Sequence, residues 1–148
     1  MRSAITLLLL FVPPADSARL TFSDGGNYTI STSFQDTNIF VLNSTSLTLA
    51  PDNNYAINAP ASTDDGESAI RVENSQLYAS GGIITGAAQI GGSGVTITTD
   101  KVRGSTSFAV FEEGVEVIGG GAGRESTTQG GNAVQILQQG AQVCIEFL

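Results

Sequence analysis

Tyr78, Arg103 and Glu116 occupy the same place in three copies of one repeated pattern, each between two apolar residues of a short alternating stretch. If the copies stack, a ring, a guanidinium and a carboxylate become neighbours on one outer face. A polysaccharide lyase or glycosidase needs such groups: an acid or base for proton transfer, and a cation against uronate charge. The row has no second well-placed carboxylate, and a mixed polar face held by cross-strand pairs accounts for the same residues. Tyr78, Arg103 and Glu116 therefore stand as candidates, and no catalytic residue is assigned.

Other chemistry is narrower still. Asp64, Asp65 and Glu67 cluster oxygen ligands around Gly66, as a calcium loop would, but they match neither an EF-hand nor a glycine-rich nonapeptide repeat. A solvated turn is the simpler reading, so no metal is assigned. Gly119-Gly120-Gly121-Ala122-Gly123-Arg124 lacks the Lys-Ser/Thr ending of a phosphate loop and reads as an exit from the repeats. The chain has no His and no Trp, which removes His-based triads, His metal sites and the best sugar-stacking side chain. No cofactor is expected. Cys144 is the single cysteine, so no disulfide forms within the chain. It is a buried apolar residue, a free thiol or half of an intermolecular bridge. Asn27-Tyr28-Thr29 and Asn43-Ser44-Thr45 are glycosylation sequons. The net charge of −8 comes with no basic stripe, which argues against nucleic acid or anionic lipid as partner.

The elements that must position these residues follow from spacing. The pattern apolar, any, apolar, four residues, apolar, any, apolar occurs five times. Its copies are Phe40-Leu42-Leu47-Leu49, Ile70-Val72-Leu77-Ala79, Val95-Ile97-Val102-Gly104, Phe108-Val110-Val115-Val117 and Val134-Ile136-Ala141-Val143. Period-two alternation marks strands with one buried face. Two strands around a polar corner, repeated, mark a parallel β-helix. The expected fold is all-β, a parallel β-helix of four or five coils, right-handed by the usual crossover rule. Stacking at about 4.8 Å makes a rod roughly 20–25 Å long. Only 13 residues separate Val95 from Phe108, too few for three sides, so one middle copy lies on a different side from the others. The tightest match is between the last two copies, where Gly114 meets Gly140. Ile83-Ile84-Thr85-Gly86 reads as a third side.

The alternation assigns outward residues: Val41, Arg71, Thr96, Ala109 and Gln135 on the first strand, and Thr48, Tyr78, Arg103, Glu116 and Gln142 on the second. Outward threonines form no regular ladder, which excludes an ice-binding face. Phe111 with Leu137, and Ile118 with Cys144, fall outside the inward pattern. They form an exposed apolar strip, or the chain bends and turns them inward.

Three segments are expected. Residues 1–17 carry Arg2, an apolar run from Ala4 to Val12, then Pro13-Pro14 and small residues, the pattern of a signal peptide cleaved after Ser17. The run is too short to span roughly 30 Å of hydrocarbon, and no transmembrane segment is expected. Residues 18–38, with Leu20, Phe22, Tyr28 and Ile30 alternating around Asp24-Gly25-Gly26, read as a strand pair or irregular N-terminal cap. Residues 39–148 carry the repeats and end on the apolar Cys144-Ile145-Glu146-Phe147-Leu148, which suggests that another chain caps the last coil or that the β-helix continues.

Residues 69–86, Ala-Ile-Arg-Val-Glu-Asn-Ser-Gln-Leu-Tyr-Ala-Ser-Gly-Gly-Ile-Ile-Thr-Gly, resemble one coil of secreted right-handed β-helix proteins, the pectin-lyase-like superfamily and the passenger domains of bacterial surface proteins. The resemblance covers residues 40–148 and concerns fold pattern, not a catalytic motif. It implies architecture more than activity, and with the leader pattern at 1–17 the expected protein is secreted or at the cell surface. The expected function is non-enzymatic, in adhesion, structure or glycan binding, with an extracellular polysaccharide or a capping protein chain as partner. The alternative is a carbohydrate-active enzyme or its inactive remnant.

Overall fold

The structure is a computed structural model that describes residues 18–49, 55–60, 68–87, 92–99, 106–121, 131–137 and 142–147. The chain is a right-handed parallel β-helix of three sheets. The first coil comprises β1 (Ala18–Phe22) and β2 (Asn27–Ile30), and the second β3 (Thr37–Leu42), β4 (Ser46–Leu49) and β5 (Ala56–Asn58). The third comprises β6 (Ile70–Glu73), β7 (Gln76–Ala79) and β8 (Gly82–Thr85), and the fourth β9 (Val95–Thr98), β10 (Thr106–Phe111) and β11 (Val115–Ile118). The fifth has β12 (Val134–Leu137) and β13 (Gln142–Phe147). Sheet A runs β1-β3-β6-β9-β12, sheet B runs β2-β4-β7-β10-β13 and sheet C runs β5-β8-β11, every pairing parallel. β8 is the expected third side. β1 and β2 do not pair with each other; each lies on the second coil, and a bridge from Phe34 to Ile57 carries the chain past sheet C.

The core is a set of columns running down the stack. Ile39-Ile70-Val95 and Val41-Val72-Ile97 line sheet A, Leu47-Leu77-Ala109 and Leu49-Ala79-Phe111 line sheet B, and Ile57-Ile84-Val117 lines sheet C. Each fully buried Val, Leu or Ile contributes about 1.5–3 kcal/mol. Ala79 between Leu49 and Phe111 leaves room for both larger neighbours.

Two expected assignments are overturned. In β3 the inward residues are Ile39 and Val41, both fully buried, and Phe40 and Leu42 face outward. The cause is the corner before β4, where Asn43 and Ser44 both take positive φ (56° and 63°); after β6 a single residue, Asn74 (49°), turns the chain. The extra residue shifts the first strand by one place, and one place reverses the face. In the fourth coil the strand after β9 is β10, which pairs with β7, so the fourth copy spans sheets B and C. Ala109 and Phe111 point inward there, and Phe108 and Val110 outward. Val102 and Gly104 lie outside the described residues.

A column of hydroxyls runs inside the corner between sheets A and B. The Gly25 amide donates to Thr45 Oγ1 (3.0 Å), the Thr45 amide to Ser75 Oγ (3.2 Å), and the Asn74 amide to Ser107 Oγ (2.8 Å). All three hydroxyl residues are buried. Corner amides that the turns leave without strand partners are thus satisfied by the coil below, as buried donors must be.

At the corner between sheets B and C, large meets small. A Cβ on Gly82 would lie 2.6 Å from the Tyr55 carbonyl oxygen and 2.8 Å from its ring, and Gly82 has φ +87°. Only glycine fits beneath Tyr55. Burial pushes the Tyr55 phenol up to about 12, and its hydroxyl has no hydrogen-bond partner among the described residues.

Candidate functional site: the outer face of sheet B

Sheet B carries two outward rows. One runs Asn27, Ser46, Gln76, Phe108, and the other Thr29, Thr48, Tyr78, Val110, Glu146. Strand spacing sets neighbours in a row about 4.8 Å apart. Tyr78 is 37% exposed at the centre of the face. Its hydroxyl donates to Gln76 Oε1 (3.3 Å), and its ring meets Phe108 edge to face, centroids 5.9 Å apart at 60°. The edge-to-face contact holds the tyrosine ring in place. Hydroxyl and amide groups occupy the coils before Tyr78; after it come Phe108, half-buried, and Val110, which is buried although it lies on the outer side of the strand.

Glu116 does not share this face. It lies on β11 in sheet C, beside Ile83 and one side of the helix away from Tyr78. The row expected from the repeats placed Tyr78, Arg103 and Glu116 on one sheet, and the displacement of the fourth copy removes Glu116 from it. Arg103, Asp64, Asp65 and Glu67 lie outside the described residues. Among the described residues no three His, Cys, Asp or Glu side chains come close enough to hold a metal ion. Arg71 is exposed as expected and pairs with Glu73 (2.8 Å) on the outside of sheet A. Thr96 and Gln135 are linked there, Thr96 Oγ1 donating to Gln135 Oε1 (3.3 Å). Both sequon asparagines, Asn27 and Asn43, have exposed side chains.

Neither alternative for the last two copies, an exposed apolar strip or an inward turn of both pairs, holds among the described residues. Phe111 is buried in sheet B, whereas Leu137 and Ile118 are exposed on sheets A and C. Cys144 lies in β13 opposite Phe108.

Sequence reasoning missed Phe108 as the partner of Tyr78, and it missed the hydroxyl column. A signal for both was present. Thr45, Ser75 and Ser107 each stand two residues before an inward residue, Leu47, Leu77 and Ala109. Aligning on those hydroxyls sets the parity of β10 correctly.

No described helix is long and apolar enough to cross a membrane. Comparison with protein-family models, with curated proteins and with solved structures finds no match to this chain.

Proposed function

We propose that the protein is a non-enzymatic, secreted or cell-surface β-helix serving adhesion or structure, and that sheet B binds a neutral glycan. The observation that carries this reading is the Tyr78-centred face. A half-exposed ring, braced by Phe108, offers a stacking platform, and Gln76, Thr48 and Thr29 offer hydrogen-bonding groups at regular steps. An extended sugar chain meets those groups in order along the stack. The net charge of −8 favours a neutral polymer over an acidic one. The leader pattern at 1–17, the sequons at Asn27 and Asn43, and the likeness of residues 69–86 to pectin-lyase-like and passenger repeats support an extracellular setting.

Cosedimentation with insoluble cellulose, chitin and pectate tests the reading. Retention on a neutral polymer is expected, with loss in a Tyr78→Ala variant whose circular dichroism is unchanged. Retention that ignores Tyr78→Ala, or no retention on any polymer, would overturn it. Depolymerisation of pectate would favour the enzyme reading.

A further inference from the structure

The two sequons stand in different settings. Asn27 and Thr29 are both exposed and alternate with inward Tyr28 on β2, so both project from the outer face of sheet B. β2 is pinned where it begins: the Gly25 amide donates to Thr45 Oγ1 (3.0 Å), and the Ser46 amide donates to the Gly26 carbonyl (2.9 Å). Among the described residues nothing hydrogen-bonds the Asn27 side-chain amide. Asn43 instead turns the corner between sheets A and B at φ 56°, and its Nδ2 donates to the Ser23 carbonyl (3.5 Å). The threonine of its sequon, Thr45, is buried in the hydroxyl column.

Asn27 also heads an outward row of the glycan face. Ser46 and Gln76 follow it on the next strands, and Thr48 and Tyr78 stand beside them. Strand spacing and rise place Tyr78 roughly 12 Å from Asn27. The inner sugars of an N-linked chain are neutral, β-linked N-acetylglucosamines, which suit hydroxyl and amide partners and an aromatic platform. A tether raises their effective concentration at the face to about the millimolar range, so weak stacking suffices for occupancy. We propose that an N-linked oligosaccharide on Asn27 lies along sheet B with an inner N-acetylglucosamine on the Tyr78 ring, so that the protein carries its own occupant of that face. The inference rests on the glycan reading of sheet B and adds its regulation: the face accepts a free polymer when Asn27 is bare. Attachment joins Nδ2 to the anomeric carbon of the first sugar and breaks that carbon's bond to a polyprenyl diphosphate. The diphosphate leaves, and the amide gives up one proton.

The test uses the full chain secreted from eukaryotic cells, with chitin as the polymer. Peptide mapping should find the oligosaccharide on Asn27. Proton resonances of an inner N-acetylglucosamine should be shifted upfield by the Tyr78 ring, and Tyr78→Ala should abolish the shift. Asn27→Gln, or enzymatic removal of the oligosaccharide, should raise retention on chitin about fivefold or more. Asn43→Asp, which keeps a residue that tolerates the left-handed corner, should leave retention unchanged. A bare Asn27, no ring shift that depends on Tyr78, or equal retention on chitin with and without the oligosaccharide would overturn the proposal. If no form binds chitin or any other polymer, the polymer-binding reading fails, and the Tyr78-dependent ring shift alone decides whether the face holds its own glycan.

Discussion

The two ends of the stack meet water differently. At the first coil, the inward residues Phe22 and Tyr28 lie ring against ring, centroids 4.6 Å apart, and both are half-buried. The Tyr28 hydroxyl donates to Asp24 Oδ2, and Asp24 Oδ1 accepts the Gly26 amide (2.9 Å). At the fifth coil, Ile136 and Phe147 occupy inward columns but are 52% and 73% exposed. Phe147 stacks on Phe111, ring centroids 5.5 Å apart. In the coils between, the same columns are closed: Ile97, above Ile136, is fully buried. Alternation thus decides which way a side chain points. Burial needs something on both sides, and at the first coil that is a second ring tied down by a carboxylate.

The contrast can be broken by substitution. Ile84→Ala, in the closed middle of sheet C, should cost about 2–5 kcal/mol in urea unfolding. A cost no larger than that of an end substitution would mean that the interior is not close-packed. Ser75→Ala removes one of the two acceptors of the Thr45 amide, leaving the Leu42 carbonyl at 3.3 Å, and should cost about 0.5–1.5 kcal/mol. Tyr55→Phe removes a buried hydroxyl that has no partner among the described residues and should raise stability by about 1 kcal/mol. It should also remove an alkaline transition. The folded Tyr55 phenol titrates near 12, above the ordinary 10, so its contribution is full below pH 10 and lost as pH rises towards 12.

Smaller effects belong to the ends. Ile136→Ala should change stability by no more than about 0.5 kcal/mol, as open surface positions do. Asp24→Asn should act locally, speeding amide exchange in β1 and β2 and leaving the global midpoint unchanged. The Tyr28 hydroxyl, and then the Gly26 amide, hold the Asp24 carboxyl below its ordinary 3.8. Its contribution is therefore full above pH 3.8 and fades as pH falls through the lowered value, and exchange measured across that window should show the first coil loosening before the middle.

The β-helix itself was legible because alternation at period two survives in nearly every strand, and Ile83-Ile84-Thr85 announced the third side. Which strand stacks on which was not. The tightest match in the sequence, residues 108–117 against 134–143, joins a pair on sheets B and C to a pair on sheets A and B. Any two consecutive sides around a short corner give the same spacing, so the pattern is blind to which sides they are. Parity failed in β3 because one added corner residue, shared between Asn43 and Ser44, is invisible to a search for apolar spacing. It failed in β10 because inward Ala109 is less apolar than outward Phe108 and Val110, which face the Tyr78 patch. The expected Tyr78–Glu116 row fell with that assignment.

The corners between sheets C and A have a further consequence. A Cβ on Gly86 would lie 2.1 Å from the Gly92 carbonyl oxygen, and one on Gly119 would lie 2.0 Å from that of Gly131. Each neck is tied at its own base, Gly92 N to Ala87 O (3.1 Å) in one coil and Gly131 N to Gly120 O (2.8 Å) in the next. Because each neck is closed by its own backbone hydrogen bond, added sequence between its two sides costs only the slow logarithmic entropy of a larger loop. The necks are ports: places where the chain can gain or lose sequence, by evolution or by grafting, while the coil turns on undisturbed.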